Sequence, residues 1–176
     1  MVYINDQYRF IFIENPKSGS TSILSALSQS LDIQPIQRDL KKQNAHLTCT
    51  QVKELVGQER WNSYFKVSTY RDPLKRFLSS ANYPRHSMLR GFRTFDEYQI
   101  HLNGVIEGKS KCQYCIPHSE YLDVDFLIHI DNMQKGYDEM CLKLGIPTVT
   151  IKIINKNSTK LFDTVLLTEI FNKIQF

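Results

Sequence analysis

The chain has 176 residues, 41% of them hydrophobic and 23% charged, a balance that fits one folded domain over residues 1–176 and excludes extensive disorder. Its net charge of +4 is too mild to argue for a nucleic-acid partner and suits a small anionic ligand. No apolar run approaches the roughly 18 residues of a membrane span, and the first strand pattern follows Met1 too closely to leave room for a signal peptide, so the expected location is the cytoplasm.

In chain order, "YRFIFIE" (8–14) is the first strand pattern, and it runs into the loop "NPKSGSTS". A helix pattern follows in "STSILSALSQSL", with Ile23, Leu24, Leu27 and Leu31 on one face. Such a loop points free backbone N–H groups and the positive end of the helix dipole at an anion. Gly19 allows close backbone approach. Ser18, Ser20, Thr21 and Ser22 add hydroxyls, and Lys17 adds a full charge. A plain helix cap with a chance lysine is the alternative. Lys17 precedes the glycine, unlike the lysine of the triphosphate loop G-x-x-x-x-G-K-[ST].

His46 stands just before Thr48 and Gln51, whose spacing predicts a capping box and a helix starting near Thr48. "FKVSTY" (65–70) is the second strand pattern, followed by "RDPLKRFLSS". There Arg71 ends the strand, Pro73 opens a helix, and Ser79 lies two turns on. An arginine at a strand tip is suited to a two-pronged grip on a phosphate, or to a structural ion pair with Asp72. "YPRHSMLRGFR" (83–93) collects Arg85, His86, Arg90 and Arg93, either a solvated face or an attraction for an anionic acceptor.

Cys112 and Cys115 in "CQYC" lack a second pair, so neither a metal site nor a redox role is expected. "DFLIHI" (125–130) and "VTIKII" (149–154) are two more strand patterns, with His129 expected as a hydrogen-bonded core residue. Between them lies a helix with Tyr137, Met140, Cys141 and Leu144 inward and Gly145 as its stop. A last helix is expected in "DTVLLTEIFNKI". Strands alternating with helices predict an α/β fold with a mainly parallel sheet, whose ligand edge is the carboxyl ends of the strands.

The two loops together, "PKSGSTS" (16–22) and "RDPLKRFLS" (71–79), resemble the paired signatures of the PAPS-dependent sulfotransferases, in particular their carbohydrate sulfotransferase branch. "HLTCTQVKELVGQERWNSYFKVSTYRDPLKRFLS" (46–79) resembles that family's central block, with "FDEY", "PHSEYL" and "DFLIHIDNMQKGYDEMCLKLGI" as looser matches. The resemblance implies a three-layer, P-loop-NTPase-like sulfotransferase fold. It implies that PAPS (3′-phosphoadenosine 5′-phosphosulfate) is the donor and PAP the product, with no metal needed. By the same resemblance, residues 17–22 hold the 5′-phosphosulfate, Arg71 and Ser79 the 3′-phosphate, and Ser158 in the tail closes over the nucleotide. His46 is the implied general base, and Lys17 the group that stabilises the leaving PAP. The implied acceptor is a hydroxyl of a carbohydrate or glycoconjugate.

Two rival readings stand beside this. A nucleotide-type kinase could use Asp131 at the end of the third strand for magnesium, but the loop lacks Lys-Ser/Thr after its glycine. A non-catalytic PAP-binding or interaction module is suggested by a C-terminal part that is short for the family.

Overall fold

In the computed structural model, the described residues are 2–31, 33–35, 46–83, 94–107, 109, 116–154 and 163–174. They group into two compact units, one of residues 1–71 and 118–155, the other of residues 72–117 and 156–176.

The first unit is built on a five-stranded sheet flanked by helices. Strands β1 (Val2–Asn5) and β2 (Phe10–Ile13) form an antiparallel hairpin. Its turn is closed by Tyr8 N–H donating to Asn5 Oδ1 at 2.8 Å, with Arg9 at φ 49°. Helix α1 (Ser20–Ser30) follows, then the two-residue strand β3 (Gln34–Pro35), antiparallel to β1. Helices α2 (Cys49–Val56) and α3 (Gln58–Ser63) are separated by Gly57, whose φ of 83° ends the first. The predicted capping box is present: Gln51 N–H donates to Thr48 Oγ1, and Thr48 N–H donates to Gln51 Oε1. Strand β4 (Phe65–Tyr70) lies parallel to β2, and β5 (Phe126–His129) lies parallel to β4. The sheet order is β3-β1-β2-β4-β5.

The runs 8–14, 65–70 and 125–130 therefore form parallel strands as expected, and β1 and β3 add an antiparallel edge that the sequence reading did not anticipate. Phe10 and Phe12 point to one face of β2, Ile11 and Ile13 to the other, and all four are fully buried. Residues buried on both faces of a strand require cover on both sides of the sheet. On one side, Phe10, Phe12, Val67 and Ile128 pack with Ile23, Ala26 and Leu27 of α1. The helix running from Met133 to Leu144 adds Tyr137, Met140 and Cys141 to the same core, and ends at Gly145 in the left-handed conformation (φ 67°).

The stretch 149–154 corrects one expectation. Its alternation is real, since Val149 and Ile151 pack on the core while Thr150 and Lys152 are exposed. Yet it joins no strand ladder among the described residues. The side-chain amide of Gln134 takes the place of a neighbouring strand: Ile151 N–H donates to Gln134 Oε1 at 2.8 Å, and Gln134 Nε2 donates to the Val149 carbonyl at 3.1 Å.

The second unit is helical. It contains α4 (Pro73–Ala81), α5 (Phe95–Ile106) and, after the Met133–Leu144 helix (α6), the last helix α7 (Thr164–Ile174). Phe77 and Ala81 of α4, Tyr98 and Leu102 of α5, and Leu167 and Ile170 of α7 form its core. Helix α5 is not among the helices the sequence pattern predicts; its residues "FDEY" enter there only as a family-like block. Among the described residues, no helix is long and apolar enough to cross a membrane.

Candidate active site

The parallel strands β2, β4 and β5 all point their carboxyl ends to one edge of the sheet. Three chain segments leave that edge: Glu14–Gly19 after β2, Arg71 after β4, and Ile130 onward after β5.

The first segment carries the lysine. Pro16–Gly19 is a turn in which Lys17 has φ 64° and Gly19 has φ 82°. A positive φ is unusual for a lysine and marks a backbone held by its surroundings. At Gly19 the φ of 82° favours glycine, and an added Cβ would lie 2.5 Å from Met133 Cε, so the Met133 side chain would have to move. Gly19 is the N-cap of α1, and no side chain caps this helix. Ser22 N–H closes on the Gly19 carbonyl at 3.0 Å, and the positive end of the helix dipole faces the loop with no side-chain cap and no first-turn acid.

Arg71 connects the two sequence motifs. Its Nη1 donates to the carbonyl of Lys17 at 3.1 Å. A guanidinium has five N–H donors, so this contact uses one edge of the group. Lys17 is partly buried, and burial, followed by the charge of Arg71, lowers its pKa to about 8. A lysine that feels the Arg71 charge, at a helix start with no first-turn acid, is suited to an anion.

The loop hydroxyls divide by role. Ser20 is buried and its Oγ donates to the Asn15 carbonyl at 2.8 Å, so the hydroxyl proton is already used. Ser22 is buried and its Oγ accepts from Ile154 N–H at 2.9 Å. Ser18 is fully buried, and its Oγ has no hydrogen-bond partner among the described residues. Thr21 is exposed at the start of α1. Ser79 is half-buried on α4, in the helical unit.

His46 comes to rest on Glu14, the residue that leads into the loop. Its Nδ1 lies 3.2 Å from the Glu14 carbonyl oxygen and 3.9 Å from the Glu14 carboxylate. A carbonyl only accepts, so Nδ1 carries the proton, and the neutral ring has its lone pair on Nε2. A base oriented by a partner at its other nitrogen is the arrangement general-base catalysis uses.

The other histidines fall elsewhere. His129 is exposed at the end of β5 and packs on the ring of Tyr70 (centroids 4.7 Å apart), which corrects the expectation of a core residue. His118 is buried and also stacks on Tyr70, at 5.0 Å. His101 lies half-buried on α5. Asp131, considered for magnesium, is exposed in the short 3-10 turn after β5. Ser158, Arg85, His86, Arg90, Arg93, Cys112 and Cys115 lie outside the described residues. No group of three or more His, Cys, Asp or Glu side chains suited to a metal occurs among the described residues.

Sequence reasoning missed Asn15 and Glu14, although both sit between an apolar strand and the lysine loop. The available signal was polarity: a strand buried on both faces that ends in Glu-Asn-Pro has two polar side chains at the ligand edge.

A model of the sulfotransferase family matches residues 1–101, more than half the chain, a span that includes Lys17, His46, Arg71 and Ser79. No curated protein and no solved structure matches the chain.

Proposed function

The chain belongs to the sulfotransferase family, and from that premise we propose that it transfers a sulfuryl group from PAPS to a hydroxyl of a carbohydrate or glycoconjugate. The observation that carries the proposal is the Arg71 guanidinium on the Lys17 carbonyl, because it brings the tips of both motifs to one sheet edge. A donor with an anionic group at each end demands two cationic grips, and ATP has no 3′-phosphate to use the second.

The residues present fit such a ligand. Uncapped α1 and the positive-φ glycine at Gly19 suit a phosphosulfate brought against the backbone. PAPS supplies an activated sulfur: the acceptor oxygen bonds to it as its bond to the bridging phosphate oxygen breaks. Lys17 places its ammonium where negative charge grows on that leaving oxygen; a preorganised donor of this kind is typically worth about 10²–10³-fold in rate. Arg71, with Ser79 and Ser158, holds the 3′-phosphate. His46 takes the acceptor's proton on Nε2, while Glu14 holds Nδ1–H and favours the imidazolium that results. No step calls for a metal.

The test is ligand-specific stabilisation followed by turnover. PAP should raise the thermal midpoint, and ATP with Mg²⁺ should not. Stabilisation by ATP-Mg²⁺ alone would sink the sulfotransferase reading. PAP binding without sulfation of any hydroxyl acceptor would favour a non-catalytic PAP-binding module. His46→Ala should abolish turnover and leave PAP affinity near wild type; normal turnover would remove His46 as the base.

A further inference from the structure

The turn that carries Lys17 is pinned at both ends to one point on β4. Before it stands Asn15, fully buried, whose Nδ2 donates to the Thr69 carbonyl at 2.8 Å. After it stands Ser20, whose Oγ donates to the Asn15 carbonyl and lies 3.1 Å from Thr69 Oγ1. The second contact of Asn15 Nδ2 is Nε2 of His118, a ring that is itself buried and stacked on Tyr70.

A carboxamide nitrogen has two protons. One goes to Thr69 and the other to His118, which fixes the chemistry of the histidine. Nε2 must present a lone pair, so the ring is neutral with its proton on Nδ1. An imidazolium, or the Nε2–H tautomer, would set donor against donor. Asn15 Oδ1 is buried with no hydrogen-bond partner among the described residues, so the carboxamide is held through its two donors. Losing the His118 acceptor would leave one N–H of the same buried group unmatched as well as its Oδ1. That is costly, and the residue concerned is two positions before Lys17.

We propose that Asn15 and His118 are a positioning pair for the loop lysine: the His118 lone pair orients the Asn15 carboxamide, which ties the loop to β4 and sets where the Lys17 ammonium lies. Both act through Lys17. The catalytic consequence rests on the sulfotransferase reading; the structural one does not.

The pair is tested with His118→Leu, which keeps bulk without an acceptor, and His118→Gln, which restores an acceptor oxygen. Two readouts are followed, the Lys17 titration by NMR of ¹³C-lysine-labelled protein and steady-state kcat and KM with PAPS. In His118→Leu, the Lys17 pKa should move toward that of an ordinary lysine. Its kcat should fall by about ten-fold or more, with KM changed less than about three-fold, as expected for a displaced catalytic group. His118→Gln should restore both. Unchanged Lys17 titration in folded His118→Leu overturns the proposal, as does equal impairment by Gln and Leu. If wild type turns over no PAPS, the functional reading fails, but the Lys17 titration still decides the pairing. If His118→Leu does not fold, ¹⁵N spectra of wild-type His118 decide instead. Neutral Nδ1–H with a hydrogen-bonded Nε2 supports the pair; an Nε2–H or doubly protonated ring at neutral pH overturns it.

Discussion

Helices α1 and α4 both begin just beyond the end of a parallel strand, yet their first turns are built in opposite ways. Helix α1 starts at Gly19 with no side-chain cap and no acid in its first turn. Helix α4 starts at Asp72, whose carboxylate accepts from Lys75 N–H at 2.9 Å, and has Pro73, which lacks an N–H, in its first turn. One N-terminus has no side-chain acceptor for its donors, and the other has a carboxylate that takes one of them and carries a negative charge. On the proposed reading, the α1 amides meet one anionic end, and beside α4 the grip on the other comes from the Arg71 side chain. The same topological position supplies backbone donors once and a charged side chain once, which suits a ligand with two unlike anionic ends.

The strongest way to break this comparison is to remove the charge that completes the α1 site. Lys17→Ala should lower turnover by about 10²–10³-fold and weaken PAP binding, measured by steady-state kinetics and calorimetry. Lys17→Ala with near-normal kcat would leave the α1 amides as the whole site and remove the lysine from the mechanism.

Next in size is the cradle itself. Gly19→Ala forces a side chain into φ 82° and against Met133 Cε. It should destabilise the fold by about 1–2 kcal/mol, read by denaturant unfolding, and weaken PAP binding in the folded fraction. Met133→Ala in the same background should relieve only the contact; full recovery would show that φ at Gly19 matters little.

How much of this was readable from sequence follows the nature of each signal. The loop, the Thr48 capping box and Pro73 at a helix start are local chemistry, and they are where short-range rules place them. The strand over 149–154 failed because alternation reports packing, not pairing, and here a glutamine side chain does the pairing. Strand β1, and with it the hairpin to β2, was missed because its turn is made by Asn5 and by Arg9 at positive φ, with no glycine to mark it. At the site, Lys17 and Arg71 were legible as types, but their contact was not. Asn15 and His118 are 103 residues apart in sequence, and no local pattern could join them.

A subtler test uses pH. With its folded-state pKa lowered to about 8, Lys17 gives up its proton in the free protein well before an unfolded lysine does. Between about pH 8 and 10.5 the unfolded chain binds the extra proton, so this group makes stability rise with pH across that window. Ligand binding runs the other way. An anion on Lys17 favours the charged form, so PAP binding should take up a proton above pH 8, and affinity should fall with pH by at most about ten-fold per unit. Calorimetry in buffers of different ionisation enthalpy measures the uptake directly. In Lys17→Met it should vanish; if it persists, another group is responsible.

The smallest expected effect lies on the other helix. Asp72→Ala removes the α4 cap, whose loss typically costs about 1 kcal/mol, and thermal or denaturant unfolding should show that cost. It also removes a negative charge next to Arg71, so PAP affinity should hold or improve slightly at low salt, with the gain fading as salt rises. The direction separates two accounts of Arg71. If Asp72 held the guanidinium in place as an ion-pair partner, its removal would weaken PAP binding, and the Arg71 contact to the Lys17 carbonyl would be insufficient to orient the group. Stable or improved binding assigns the orientation to that carbonyl, and with it the division of labour between a capped helix that serves the fold and an uncapped one that serves the ligand.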